Sequence, residues 1–166
     1  MTPEFSRMVN LARLPPEGRE ERLEAKPAEC AALARRFGIL GVNRLVARLR
    51  LRPEPGGLAT VDGRLEAEVV QACVVTLDPV VQAMDEPVRL RILAPGEAPS
   101  EDPEAPDEIE AEGDSVDLGE AIAEQLALAL DPYPRVPSAA LPGEGEGEEP
   151  PPSGPFAGLA ALRKRG

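Results

Sequence analysis

The clearest pattern in this chain is an alternation. Leu45, Ala47, Leu49 and Leu51 are apolar, and Arg44, Arg48, Arg50 and Arg52 stand between or beside them. That period of two predicts a half-buried strand. After the turn-forming run Pro53-Glu-Pro-Gly-Gly57, Ala59, Val61, Leu65, Ala67 and Val69 alternate with Thr60, Asp62, Arg64, Glu66 and Glu68. A hairpin is predicted, with Leu49 facing Val61 and Leu45 facing Leu65 on the apolar side. The same register sets Arg48 against Asp62 and Arg44 against Glu66, and opposite charges across strands favour it. From Val69 to Leu77 nearly every residue is apolar, which predicts a central strand covered on both faces, with a bulge near Val69-Val70. Val88, Leu90 and Ile92 alternate with Arg89 and Arg91 and predict a further strand.

Two segments change to a helical period. Pro27 suits a first turn, Cys30, Leu33, Ala34 and Phe37 fall at i, i+3, i+4 and i+7, and Gly38 supplies a stop. Asp117 can cap a second helix, with Glu120 three residues on and Leu118, Ile122, Leu126 and Leu130 along one face. Pro132 and Pro134 end it. Shorter strands are predicted at Phe5–Leu11 and Glu20–Ala25. The fold class that follows is α+β: an antiparallel sheet, partly closed in one version, with two packed helices.

Between the last long strand and the second helix, residues 95–117 hold ten acids and four prolines and no Lys or Arg. Such a segment is expected to be a disordered loop. In 137–155, fourteen of nineteen residues are Pro, Gly or Glu, which reads as a linker. Phe156, Leu159 and Leu162 then recur at helical spacing before Arg163, Lys164 and Arg165, too short a segment to be stable alone. The predicted organisation is one α+β domain over 1–136 with a disordered acidic insert at 95–116, a linker at 137–155, and a short helical basic segment at 156–166.

Charge sharpens this picture. The net charge of −12 is a sum of unlike parts: residues 1–65 carry 12 Lys/Arg and 8 Asp/Glu, residues 66–166 carry 6 and 22. The two parts can attract each other or face different partners. No apolar run reaches the length of a membrane span, and the first residues do not read as a secretory leader, so a cytoplasmic location is expected. Cys30 and Cys73 are expected reduced and buried.

Candidate chemistry is sparse. The chain has no histidine, which removes the usual general base, the commonest metal ligand and any Ser-His or Cys-His pair. Gly143-Glu-Gly-Glu-Gly147 is spaced by acids that would repel phosphate. The carboxylates of 97–117 lack a fixed geometry for proton transfer. Cys73 lies among apolar neighbours that would raise a thiol pKa. No catalytic residue, metal site, cofactor or small-molecule substrate is expected. Between Cys30 and Pro53, in contrast, there are six arginines and no acid. If Asp62 and Glu66 occupy Arg48 and Arg44, then Arg50 and Arg52, with Arg35 and Arg36 on the helix, remain to meet phosphates, without an aromatic platform for bases. An ordinary solvated face is the competing reading.

The order of motifs resembles one family. The run Cys73-Val-Val-Thr76-Leu77-Asp78-Pro79, the acidic insert, the Asp117-Leu118 helix start, Leu130 with Pro132 and Pro134 after it, and the closing Pro155-Phe156-Ala-Gly-Leu-Ala-Ala-Leu162 resemble the YceD family of large ribosomal RNA subunit accumulation proteins. Many members carry Cys-x-x-Cys in the central run. Here Thr76 takes the second position, so no metal or redox role transfers. The resemblance implies a non-enzymatic role in accumulation of large-subunit (23S) ribosomal RNA and ribosome assembly; the motifs do not imply the binding surface, and the expectation from the charge pattern is that the domain binds a ribosomal RNA precursor or an early ribosomal protein. The expected contacts are Arg35, Arg36, Arg50 and Arg52 with the segment Phe156, Leu159, Leu162, Arg163, Lys164 and Arg165. The alternative is an acidic adaptor or chaperone-like module for a basic protein.

Overall fold

In a computed structural model, residues 3–55 and 58–136 are described. The predicted linker and basic segment lie outside them. The elements are β1 (Met8–Asn10), β2 (Arg19–Glu24), α1 (Pro27–Phe37), β3 (Gly41–Pro53), β4 (Ala59–Ala72), β5 (Pro79–Leu93), β6 (Asp107–Glu110), β7 (Ser115–Asp117) and α2 (Leu118–Ala129). Five strands form one sheet in the order β2-β3-β4-β5-β6, and β1 pairs with β7 in a separate ribbon. All pairings are antiparallel except β5 with β6.

The α+β class holds, and the sheet is open. Its end strands span six and four residues, and β2 is Arg-Glu-Glu-Arg-Leu-Glu. Short, charged edges resist the pairing that closure needs. The parity of the β3–β4 hairpin is as predicted, but its register differs by two residues: Leu49 faces Gly63, Leu51 faces Val61, Arg48 faces Arg64 and Arg50 faces Asp62. A shift of two keeps every side chain on its own face, so apolar patterning alone does not choose between these registers. Gly63 supplies the steric reason. A Cβ there would stand 2.0 Å from the Arg48 carbonyl oxygen, so β3 crosses at a distance that only glycine permits. The register irregularity lies on β3 between Val42 and Arg44, beside Val69, rather than on β4.

The central strand ends at Ala72, and Cys73–Asp78 forms a turn instead of its continuation. There the Cys73 N–H donates to the Asp78 carbonyl, and Leu77 adopts a left-handed φ of 65°. Val74 and Leu77 are exposed, so the apolar run is not buried on both faces. Pro79 opens β5. Pro87 lies in the part of β5 that β6 does not reach, where a missing N–H breaks no ladder on that side.

The inner face of the sheet carries Leu45, Leu49, Leu51, Val61, Leu65, Leu90 and Ile92, all nearly inaccessible. Cys30, Leu33 and Ala34 of α1 join them in the core, as do Leu118, Ile122 and Leu126 of α2 and Phe5. The Lys26 N–H donates to Glu29 Oε2 at 2.7 Å at the start of α1, and Gly38 ends it at a left-handed φ of 66°. Asp117 caps α2, as its position predicts. Its carboxylate accepts from Glu120 N at 3.2 Å, Arg7 N at 2.7 Å and Ser6 Oγ at 2.6 Å, tying helix and N-terminal segment together.

The acidic insert is more ordered than its composition suggests. Within it, β6 adds to the sheet and β7 pairs with β1, while Ala111 and Val116 enter the core. Arg91 makes this possible: its guanidinium meets Glu54 at 2.9 Å, Glu97 at 2.9 Å and Glu108 at 3.2 Å. One cation thereby relieves part of the repulsion that argued for disorder.

Candidate nucleic-acid interface

The outer face of the sheet, opposite the helices, is made of charged rows running across the strands. Nearest the β3–β4 turn is Arg52–Thr60–Arg91–Glu108, followed by Glu20–Arg50–Asp62–Arg89 and Arg22–Arg48–Arg64–Pro87. The next two are Glu24–Val46–Glu66–Asp85 and Arg44–Glu68–Ala83. The first three rows hold seven arginines against three acids, and the last two hold one arginine against four acids. The face is therefore polarised, basic towards the turn and acidic away from it.

Arg22, Arg48 and Arg64 are directly opposite one another on three neighbouring strands. Strands lie ~5 Å apart, so three guanidinium-bearing stems share a span of ~10 Å. Like charges in direct register destabilise a sheet. Each arginine leans to an acid: Arg22 to Glu24 at 2.6 Å, Arg48 to Glu66 at 3.1 Å and Arg64 to Asp85 at 2.7 Å. All three side chains remain more than half exposed, and pairs of that kind contribute about 0–1 kcal/mol, so their guanidinium groups can exchange partners readily. Beside them Arg50 touches Glu20 only at 3.9 Å, and Arg52 and Arg89 make no ion pair with a described residue.

The sequence-predicted residues separate on this geometry. Arg50 and Arg52 stand on the basic half of the outer face. Arg35 and Arg36 do not join them, because α1 packs on the inner face. Arg36 is also engaged, bridging Glu120 at 2.7 Å and Glu4 at 3.1 Å and so joining α1 to α2. Phe156, Leu159, Leu162, Arg163, Lys164 and Arg165 lie outside the described residues. Sequence reasoning missed Arg22, Arg64 and Arg89, and assigned Arg48 to Asp62. Their alternation was visible, but only the true register aligns them.

No aromatic side chain stands on these rows, so they offer no aromatic platform for bases, and phosphate contact is the chemistry that a row of arginines supplies most directly. Among the described residues no group of His, Cys, Asp and Glu is arranged to hold a metal ion, and no helix is long and apolar enough to cross a membrane.

Cys73 departs from expectation. Hydrogen bonds from the Thr76 side chain and backbone, helped by the Val75 N–H at 3.4 Å, lower its thiol pKa to about 7 against the opposing effect of burial. The apolar neighbours emphasised by the sequence matter less than the turn. Its side chain is inaccessible.

A family model described as large ribosomal RNA subunit accumulation protein YceD matches residues 61–163. Arg64 and Arg89 lie within that span, and Arg22 and Arg48 precede it. No curated protein and no solved structure matches the chain.

Proposed function

Since the chain belongs to the YceD family of large ribosomal RNA subunit accumulation proteins, we propose that it acts by binding the phosphate backbone of a large-subunit ribosomal RNA precursor through the basic half of its outer sheet face. The observation that carries this reading is the in-register row Arg22, Arg48 and Arg64, flanked by Arg50, Arg52 and Arg89. Three like charges held abreast oppose folding, and a polyanion laid across them relieves that opposition. Phosphate contacts carry no sequence information themselves, so specificity in this reading would come from RNA shape. The basic end Arg163, Lys164 and Arg165 supplies further cations in the same reading.

Arg48→Glu/Arg64→Glu is expected to weaken binding of a precursor transcript by tenfold or more in filter binding near 0.1 M salt. Loss of two phosphate contacts should also reduce the salt slope by roughly 1.5. Arg35→Glu, on the other side of the sheet, should leave both nearly unchanged. Equal loss in the two variants, or none in the first, would reject the outer-face reading.

Depletion of the protein is expected to lower large-subunit ribosomal RNA and its particles in sucrose gradients, with small-subunit particles less affected. Unchanged profiles would count against the cellular role. A deletion of 97–117 would not serve as a test, because it removes β6, β7 and the cap of α2 together.

A further inference from the structure

On the helix-bearing side lies a groove of about 410 Å³ between the β1–β7 ribbon, the end of β6 and α2. Its floor is apolar, formed by Met8, Ile109, Val116 and Ala121. Met8 is 57% exposed there, a large side chain left without cover among the described residues. Glu110, Glu112, Glu120 and Glu124 also line the groove, and no lysine or arginine does.

The fold does not account for these charges. Glu120 is used by Arg36, but Glu110, Glu112 and Glu124 make no ion pair with a described residue. Glu120 and Glu124 are four apart on α2, a spacing at which like charges disfavour the helix. A concave wall of one sign focuses its field outward, and the floor beneath offers apolar contact. Charge and apolar surface therefore ask for the same ligand: a chain segment with cations on one side and aliphatic side chains on the other.

We propose that this groove docks a lysine- or arginine-rich amphipathic segment of a protein partner. Its aliphatic side chains rest on Met8 and Ile109, and its cations meet Glu110, Glu112 and Glu124. The proposal is separate from RNA binding by the outer face. A surface of this sign repels RNA, so a basic protein and an RNA could be held together without competing.

The test uses the full chain and a fluorescein-labelled peptide with arginines on one helical face and leucines on the other, read by anisotropy. Wild type should bind it, Glu112→Lys/Glu124→Lys should weaken binding by about tenfold or more, and Met8→Glu should weaken it severalfold. Glu101→Lys/Glu104→Lys makes the same change in net charge away from the groove and should leave binding nearly intact. Circular dichroism confirms folding, and Met8→Glu serves if the double variant fails to fold. Absence of binding would overturn the proposal, as would equal weakening by the Glu101/Glu104 variant. Equally tight binding of an all-arginine peptide would overturn it too, because the floor would then be idle. Self-association of the protein that displaces the peptide would assign the groove to a second copy instead.

Discussion

Gly63→Ala is expected to destabilise the protein by about 3 kcal/mol and to lower its melting temperature by roughly 10 °C. A Cβ at that position would lie 2.0 Å from the Arg48 oxygen, 2.9 Å from its carbonyl carbon and 2.9 Å from Leu49 Cα. All three are backbone atoms of the neighbouring strand, so no side-chain rotation relieves the clash. β3 must withdraw from β4, which disturbs both the core pair Leu51–Val61 and the alignment of Arg48 with Arg64. Gly41→Ala is the internal control, since its nearest neighbours stand at 3.9 Å. Thermal unfolding followed by circular dichroism decides the matter: similar melting temperatures for the two variants would show that the strands are not pressed together at Gly63. RNA binding by Gly63→Ala below its melting point should fall as well, because the variant moves the row without removing an arginine.

Asp117→Ala has the second largest expected effect, a loss of about 2–3 kcal/mol. The carboxylate caps α2 and accepts from Ser6 and the Arg7 backbone, so alanine leaves three donors to find other partners. Burial tends to raise the Asp117 pKa, but the hydrogen bonds from Ser6, Arg7 and Glu120 together outweigh it and hold the group below its ordinary value. Glu29 is likewise lowered, first by its hydrogen bond with Arg7. For a carboxylate with a depressed folded-state pKa, the stabilisation is present above its unfolded value. It disappears as pH falls through the folded one. The melting temperatures of wild type and Asp117→Ala should therefore differ most near neutral pH and converge below about pH 4. A constant difference down to pH 2 would show that the charge of Asp117 contributes nothing.

What could be read in the sequence was whatever a local period determines. The faces of α1 and α2, the cap at Asp117, the stop at Gly38 and the parity of the hairpin all depend on residues close along the chain. Register needed more, because opposite charges proved to meet diagonally: Arg44 and Arg48 both lean to Glu66 rather than to residues directly across. The turn at Cys73 looked like buried strand because Val74, Val75 and Leu77 are apolar. Only the tertiary contact of the Val74 N–H with the Pro134 carbonyl shows how that loop is held. In the insert, Ile109, Ala111 and Val116 were too few among ten acids to suggest packing, and the acids of Arg91 come from three separate segments. The arginine row was hidden for the same reason as the register: Arg22, Arg48 and Arg64 are far apart in sequence and become neighbours only across strands.

The triple engagement of Arg91 has a practical consequence for building on this protein. Glu97 and Glu108 bracket the intervening loop and both close on the same guanidinium, so the loop leaves the sheet and returns to it at one fixed point. Its apex, Glu101 to Glu104, is exposed and enters neither the arginine rows nor the groove. A short tag or fluorophore-bearing peptide spliced there changes the loop's length while leaving both anchors in place, and so provides a handle from which RNA and protein binding can be watched on the same molecule.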